Sequence, residues 1–405
     1  MKYSDDRLAD YTDDSSISRG AFDVPFLLIT LLLLTIGVVM VLSASFARAY
    51  YDTGATGGDA AYYFRRQIGF ALLGVVVMLG ASRFPISFFR RFSSMIFLVS
   101  IVLLVLVLVG GIAAKGSRRW FTFGGITFQP SEIAKIAVIL FEADLICRFK
   151  SKMTTFKYGV LPFIIIVAIV DTLLILEPHL SASVIIFLLT AAMMYMGGTK
   201  LRWFAAFGGG AGALVALYIA FVGYSTDRFT AWLDPFADSS DTGYQIIQSL
   251  YAIGSGGLTG LGLGQSRQKY LYLPEEHNDY IFSIICEEMG FVGAALILAL
   301  FALLIVRGFW LAIHCRDRYS FLVCAGISSL LAIQVLLNVA VVTNTIPSTG
   351  ISLPFFSYGG TALLIQLGEM GIILSISRDI PEKKRVKEKK QKKPKLKSKP
   401  VESSI

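Results

Sequence analysis

The sequence predicts an all-α membrane protein that crosses the bilayer about ten times. Hydrophobic residues make up 55% of the 405 residues and charged residues only 16%, whereas charged residues account for about 25% of a typical soluble domain. The mean hydropathy of +0.66 agrees with this imbalance. Apolar runs recur along the chain, each long enough for a helix to cross a hydrocarbon layer of about 30 Å. These observations exclude a soluble globular protein.

Ten candidate spans succeed one another along the chain. Their predicted ranges are 22–45, 66–82, 93–113, 131–148, 158–176, 180–198, 203–222, 279–306, 319–342 and 360–377. The second and fourth carry charges, so they are the weakest of the set. Because the first residues of the chain are polar and acidic, we expect no cleavable signal peptide, and the first span then acts as an uncleaved anchor.

The distribution of basic residues predicts that both termini lie in the cytoplasm. An even number of spans places the termini on one side, and the end of the chain is strongly basic, as expected of cytoplasmic segments. Short loops assigned to the same side are also basic, for example at Arg90 and Lys152. We therefore divide the chain into an N-terminal tail (1–20), a membrane domain (21–378) and a disordered basic tail (379–405).

The longest predicted loop, residues 223–278, lies between spans seven and eight on the external side. Loops of this length are usually functional or disordered, and the aromatic and aliphatic content of this one argues against disorder. The stretch YQIIQSLYAI has apolar residues at helical spacing and predicts an interfacial or re-entrant helix. The glycine-rich stretch GSGGLTGLGLG that follows predicts tight turns.

Ionisable residues gather at the external ends of several spans. Arg118, Arg119 and Lys269 are cations that this topology places outside, where the positive-inside rule does not favour them. Glu132 and Lys135 are three residues apart, so they share one face of a helix. That pair is either a buried structural ion pair or part of a binding site, and both interpretations stay open. The cation cluster indicates an anionic, lipid-linked ligand.

Acidic residues are concentrated in the stretch LPEEHNDYIFSIICEEMG, residues 273–290. Asn278 is a candidate N-cap, and Asp279 would then fall in the first helical turn, where the helix dipole favours a carboxylate. Capping alone is one interpretation of Asp279, and a general base at the external face is the other. Glu287 and Glu288 lie deeper, and we expect them to brace the helix core through buried partners.

Metal and nucleotide sites find little support in the sequence. The three histidines and four cysteines have no metal-ligand spacing, and the glycine-rich stretch lacks the GK[ST] that completes a phosphate-binding loop. We therefore expect no evident cofactor, with a divalent cation remaining possible beside a diphosphate, and no nucleic-acid partner. The cysteines are interpreted as buried free thiols.

Three long segments resemble the SEDS family (shape, elongation, division and sporulation) of peptidoglycan glycosyltransferases, and its FtsW/SpoVE branch more than its RodA branch. The segments begin RRWFTFGGITFQPSEIAK, DTGYQIIQSLYAIGSGG and NTIPSTGISLPFFSYGG. The tails and the first two spans match only in character. The resemblance implies a ten-helix fold and polymerisation of lipid II at the outer face of the bacterial cytoplasmic membrane. It also implies a class B penicillin-binding protein as partner, besides other division or elongation membrane proteins.

The resemblance also implies roles for individual residues. The family motif H-[TN]-D-[FY]-I-F matches residues 277–282 and assigns the essential aspartate to Asp279, the predicted catalytic residue. The motif P-S-E-x-x-K matches Glu132 and Lys135. Many members carry an aspartate where this chain has His179, which leaves open whether His179 replaces that aspartate; it could do so as a polar group but not as a fixed anion. The candidate substrate-binding residues are Arg118, Arg119, Trp120, Glu132, Lys135, Lys269, Glu276, His277 and Ser357.

These assignments predict an inverting glycosyltransferase. Asp279 would take the proton from the 4-hydroxyl of the acceptor sugar, and Arg118, Arg119 and Lys269 would stabilise the departing diphosphate. Two other functions stay open: a lipid II flippase, because intramembrane charges also suit transporters, and a non-catalytic scaffold that recruits the transpeptidase. Whether the protein acts in cell division or in sporulation is also open.

Overall fold

Helices dominate the structure of the protein, a computed structural model that describes residues 20–114, 117–123, 126–205, 207–209, 226–239 and 243–380. The helices are α1 (Val24–Tyr51), α2 (Tyr62–Ala81), α3 (Ile86–Gly110), α4 (Pro130–Phe149), α5 (Phe156–Gly159), α6 (Leu161–Leu176), α7 (Leu180–Met196), α8 (Thr226–Leu233), α9 (Tyr244–Ser255), α10 (Ile281–Ile313), α11 (Arg318–Val342) and α12 (Gly360–Ser377). A 3-10 helix spans Lys150–Thr154, and three strands are β1 (Ile112–Ala114), β2 (Ser117–Phe123) and β3 (Ile126–Phe128).

Seven helical units of the described part are long and apolar enough to cross a membrane, namely α1, α2, α3, the continuous α5–α6 unit, α10, α11 and α12. Within the protein, 72% of the apolar stretch of α11 is buried, against 22% for α2. Exposed apolar surface of this extent is stable only against lipid. The protein is therefore a multi-pass membrane protein with α11 near its centre and α2 at its lipid-facing edge.

The predicted fold class is confirmed, and nine of the ten predicted spans coincide with described helices. The seventh predicted span, 203–222, falls mostly outside the described residues, so the count of ten helices stays a prediction. The same holds for both predicted tails, since residues 1–19 and 381–405 lie outside the described part. Residues 223–225 and 240–242 of the predicted external loop also lie outside it.

Local sequence signals explain where several helices begin and end. The side chain of Asp23 accepts a hydrogen bond from Phe26 N at 2.9 Å and so caps α1. α4 begins at Pro130, which suits a first helical position, and carries Glu132 in its first turn. The predicted break at Pro178 is confirmed, because α6 ends before it and α7 begins after it.

A small antiparallel sheet, which the all-α prediction did not include, connects α3 to α4. β2 pairs with β1 on one side and with β3 on the other, where Thr122 lies opposite Thr127. The alternation from Trp120 to Phe123 is typical of a strand, but the charges and glycines of the segment favour a loop. The sheet carries Arg119 and Trp120 towards the centre of the molecule.

The glycine-rich part of the external loop packs across a break in α10. The predicted helix in this loop is confirmed as α9, and the turns after it have positive φ at Gly257, Gly260, Gly262 and Gly264. α10 loses helical geometry at Gly290, where φ is 64° and ψ is −170°. The loop satisfies backbone groups there: Leu261 N donates to Glu287 O at 3.0 Å, and Phe291 N donates to Gly257 O at 2.9 Å. Non-helical backbone needs such partners in a membrane protein.

Glu287 and Glu288 brace α10 through buried partners, as predicted. Glu288 pairs with Lys269 Nζ at 2.9 Å and accepts a hydrogen bond from Ser43 Oγ of α1 at 2.7 Å. Glu287 accepts from the backbone N of Arg267 at 2.9 Å. Lys269 is 2% exposed and Glu288 is 1% exposed, so this ion pair joins α1, α10 and the external loop inside the protein.

Replacing Lys269 by methionine should destabilise the protein strongly, because Glu288 would lose the cation that it pairs with in a buried site. Losing one partner of a buried pair costs about 3–5 kcal/mol. We expect a lower midpoint of thermal unfolding in detergent, with partial recovery in Lys269→Met/Glu288→Gln. The control is Arg65→Met, which breaks a pair with Asp59 in which the arginine is 67% exposed and should change the midpoint little. Equal midpoints for the two single variants would contradict the expectation.

Candidate active site

A cavity of about 510 Å³ lies where the sheet, the α6–α7 turn, the residues before α10 and the α11–α12 connection meet. Six of the predicted site residues line it, namely Arg119, Trp120, Glu132, Lys135, Asp279 and Ser357. Apolar side chains complete the wall, among them Ile185, Ile351, Leu353 and Leu363. Residues that are far apart in the sequence therefore share one concave, partly apolar space, as is usual for a ligand site.

Asp279 lies in the turn before α10 and not in the first helical turn. α10 begins at Ile281, and Tyr280 at its N-cap position makes no capping hydrogen bond with its side chain. The predicted N-cap at Asn278 is wrong, because its side-chain amide donates to Glu275 Oε2 at 2.7 Å instead. Asp279 therefore lies outside the helix and lines the cavity, which favours the general-base interpretation over helix capping.

Gly350 approaches the Asp279 carboxylate closely from the α11–α12 connection. A Cβ atom placed on Gly350 would lie 3.0 Å from Asp279 Oδ2, and the φ of Gly350 is +66°. Residues other than glycine rarely adopt this φ. Glycine is therefore needed here on two counts, backbone conformation and space beside the carboxylate.

Glu132 and Lys135 form the ion pair that their spacing predicts, with Lys135 Nζ 2.8 Å from Glu132 Oε2. Both side chains are more than nine-tenths buried, yet both line the cavity. The two interpretations of this pair are thus compatible. The pair is internal and mutually neutralising, and it also forms part of the wall that a ligand would touch.

Arg119 fixes the α6–α7 turn against the cavity. Its guanidinium donates to the backbone O of Glu177 at 3.1 Å and to the backbone O of Pro178. Trp120, the next residue on β2, lines the same cavity. The side chain of Arg118 lies outside the described part of the structure, so its predicted contact with substrate stays a prediction.

The turn held by Arg119 carries two buried titratable groups with unusual pKa values. Burial raises the pKa of Glu177 to about 8, although the nearby Arg119 opposes this shift. Burial also lowers the pKa of His179 to about 3, and the charges of Arg119 and Lys135 add to the effect. His179 lines the cavity, so it presents a neutral imidazole there at physiological pH.

Lys269, Glu276 and His277 lie outside the lining of this cavity, so the structure does not bring them together with Asp279 there, and their predicted contact with substrate stays a prediction. Lys269 is held by Glu288. Glu276 is fully buried and forms a two-point ion pair with Arg48 of α1, at 2.7 and 2.8 Å. Burial favours the neutral acid, but hydrogen bonds from His277 and Arg48 outweigh it, so the pKa of Glu276 is lowered. Buried carboxylates take internal cations in this way because burial without a partner is costly.

His277 packs among aromatic side chains and not against the cavity. Its ring lies 4.7 Å from the ring of Tyr63 and 5.9 Å from that of Tyr358, measured between centroids. Adjacent residues of a turn point in different directions. Although Glu276 and His277 are close to Asp279 in the sequence, their side chains do not line the cavity that Asp279 lines.

Several polar residues of the cavity wall escape the sequence-based prediction. They are Thr122, Thr127, Gln129, Ser181, Glu275, Gln334, Tyr358 and Gln366. Gln334 is an amide within a membrane helix, a signal that sequence reasoning assigns to helix–helix hydrogen bonding. Ser357 was predicted, but its hydroxyl already donates to Asn278 O at 2.8 Å and accepts from Leu353 N at 2.7 Å. The others carry no signal until the fold is known.

The cavity combines a carboxylate that can accept a proton with two cations that can hold an anion. Arg119 and Lys135 are the cations, and Asp279, Glu132 and Glu275 supply carboxylates. Within the described residues, no group of three or more His, Cys, Asp or Glu side chains is arranged to hold a metal ion. These features fit acid–base chemistry on an anionic ligand.

Comparison with known proteins places these features in a family. The FtsW/RodA/SpoVE profile, described as cell cycle protein, matches residues 24–381. Stage V sporulation protein E of Bacillus subtilis is 40% identical over 359 residues, covering 88% of this chain and 97% of that protein. A probable peptidoglycan glycosyltransferase FtsW of Trichlorobacter lovleyi is 38% identical over 358 residues, covering 88% of this chain and 93% of its own.

A solved structure shares the fold. A chain of a peptidoglycan synthase complex, studied for its coordination of polymerization and crosslinking, matches with a TM-score of 0.72 and 27% identity. The match covers 89% of this chain and 98% of the other. Family profile, relatives and fold agree over almost the whole membrane region. The chain therefore belongs to the FtsW/RodA/SpoVE family of cell cycle proteins, the SEDS family.

Proposed function

We propose that the protein is an inverting peptidoglycan glycosyltransferase that polymerises lipid II into glycan strands. The observation that carries the proposal is the cavity, in which the Asp279 carboxylate shares a concave, partly apolar space with Arg119 and Lys135. The FtsW relatives are named as probable peptidoglycan glycosyltransferases, which supports the same activity. The polar wall suits sugars and phosphates, and the apolar part suits the start of a lipid chain.

In the proposed reaction, Asp279 accepts the proton of the 4-hydroxyl of the acceptor N-acetylglucosamine. The hydroxyl oxygen forms a bond to the anomeric carbon of the donor N-acetylmuramyl group. The bond from that carbon to the phosphate oxygen breaks, and undecaprenyl diphosphate leaves with the bonding electrons. Attack opposite to the leaving group inverts the configuration at this carbon.

The leaving diphosphate would be held by Arg119 and Lys135, with Arg118 as a further candidate. Both cations already have partners, Arg119 at the α6–α7 turn and Lys135 at Glu132, so their position is fixed before substrate arrives. Preorganised charge of this kind costs no reorganisation during the reaction. We do not include Lys269 in this proposed role, because it is held in a buried pair with Glu288. A divalent cation would accompany the diphosphate rather than occupy a resident site.

The proposed setting is the outer face of the bacterial cytoplasmic membrane, with both termini in the cytoplasm, in cell division or sporulation. Basic residues near the α2–α3 and α4–α5 junctions support this orientation. We propose a class B penicillin-binding protein as partner, because the matching structure belongs to a complex that joins polymerization to crosslinking. Other membrane proteins of division or elongation are further candidate partners.

Asp279→Ala and Asp279→Asn should abolish most polymerisation of lipid II by the purified protein, tested alone and with a class B partner. A general base contributes about 10²–10⁴-fold to the reaction rate. We therefore expect the rate of glycan formation, followed on gels, to fall by a factor in this range. The matched control is Asp59→Asn, which changes a carboxylate that pairs with Arg65 and does not line the cavity. Retained polymerisation in Asp279→Asn would remove Asp279 from the mechanism.

Two further experiments with the wild-type and Asp279→Asn proteins separate the two rival functions. Translocation of fluorescent lipid II across liposomes, without polymer, would favour the flippase. Normal growth of cells that carry only the Asp279→Asn protein would favour the scaffold.

His179→Asp should weaken substrate use, whereas His179→Asn should not. The cavity already holds more carboxylates than cations, and a further negative charge beside Arg119 and Lys135 would compete with the diphosphate. We expect KM for lipid II to rise about tenfold in His179→Asp, which corresponds to about 1.4 kcal/mol. His314→Asp, the same change at an exposed residue outside the cavity, serves as the control. An unchanged KM in His179→Asp would contradict the proposed place of the diphosphate.

A further inference from the structure

Three consecutive backbone carbonyls, those of residues 277, 278 and 279, each accept a hydrogen bond from α11 or the α11–α12 connection. Tyr358 N donates to His277 O at 2.9 Å. Ser357 Oγ donates to Asn278 O at 2.8 Å. Asn338 Nδ2 donates to Asp279 O at 2.9 Å. The turn that carries Asp279 is thus held at every residue by groups distant in sequence.

Asn338 makes a second hydrogen bond, to the backbone of the α11–α12 connection that lies beside the Asp279 carboxylate. Its Nδ2 also donates to Ile351 O, at 2.6 Å. Ile351 follows Gly350, the residue whose Cα lies beside Asp279 Oδ2. The side-chain nitrogen of Asn338 therefore holds the backbone of Asp279 at a fixed distance from the backbone of Ile351, the residue next to Gly350.

Asn338 is fully buried on α11 and does not line the cavity. It cannot touch a ligand there, and it acts only through the two backbone oxygens that it binds. Ser357 differs in that it lines the cavity, but its hydroxyl proton is directed to Asn278 O. Both residues hold the same turn from the same side.

We infer that Asn338 and Ser357 are positioning residues, which hold the Asp279 turn so that its carboxylate keeps the geometry that proton transfer requires. This inference rests on the proposed role of Asp279 as general base. A base must lie within hydrogen-bond reach of the proton that it removes, and a displacement of about 1 Å can cost about 10²-fold in rate. The α11–α12 connection thereby supports the catalytic residue in addition to lining the cavity.

The test measures initial rates of lipid II polymerisation and lipid II binding for Asn338→Ala and Asn338→Asp. The aspartate has nearly the same shape but lacks the amide donors. We expect both variants to lower kcat by about 10–100-fold and to change KM and lipid II binding by less than about threefold, as for an interaction that acts on the transition state alone.

Ser357 supplies a second variant with a conservative rescue. Ser357→Ala should lower kcat at nearly constant KM, and Ser357→Thr, which keeps the hydroxyl, should recover most of the rate. A substrate-binding serine would instead raise KM in Ser357→Ala. That outcome would overturn the positioning role of Ser357.

Asn344→Ala is the matched control for the asparagine. Its side chain donates to Trp232 O at 3.3 Å and does not touch the 277–279 turn, so we expect a rate close to that of the wild type. Wild-type kcat in Asn338→Asp, or an equal fall of kcat in Asn344→Ala, would overturn the inference while leaving the proposed function intact. Failure of the wild-type protein to polymerise lipid II would reject both together.

Discussion

Backbone groups that leave a helix inside a membrane protein must find donors and acceptors in the protein itself, and the site is built around this constraint. The residues before α10 are non-helical, and the carbonyls of residues 277, 278 and 279 take their partners from other segments. Donors arrive from Asn338, Ser357 and Tyr358. The same requirement recurs at Gly290, where the glycine-rich loop between α9 and α10 supplies the missing partners.

Charge pairing sorts the acidic residues around Asp279 into different roles. Glu276 forms an ion pair with Arg48, and Glu288 forms one with Lys269; both carboxylates are buried. Glu132 takes Lys135 at the cavity wall. Asp279 is half-buried at the cavity, where a ligand can reach it. Glu276 and Glu288 lie away from the cavity, so access to the cavity, and not residue type, separates these structural carboxylates from the proposed base.

The fold was largely predictable because the forces that set it are local. Hydropathy located the described spans, Pro178 marked a break, and the periodicity of YQIIQSLYAI predicted α9. Six of the predicted site residues meet in the cavity. Sequence reasoning did not place Lys269, Glu276 and His277 outside the cavity lining, because each of them contacts a distant segment, α1 or α2. The strand around Trp120 was hidden by charges and glycines that are typical of loops.

The break at Gly290 sets the depth at which chemistry can occur. From Phe291 to Ile313 the second half of α10 extends roughly 34 Å at 1.5 Å per residue, which already matches the hydrocarbon thickness of about 30 Å. With that half spanning the hydrocarbon, the first half of α10 and the turn with Asp279 would stand at the level of the lipid headgroups. The polar groups of the proposed sugar substrate would then stay solvated at the cavity, while its isoprenoid anchor remains in the bilayer. Elongation of a glycan strand would then require no dehydration of the product, and the strand can grow away along the membrane surface.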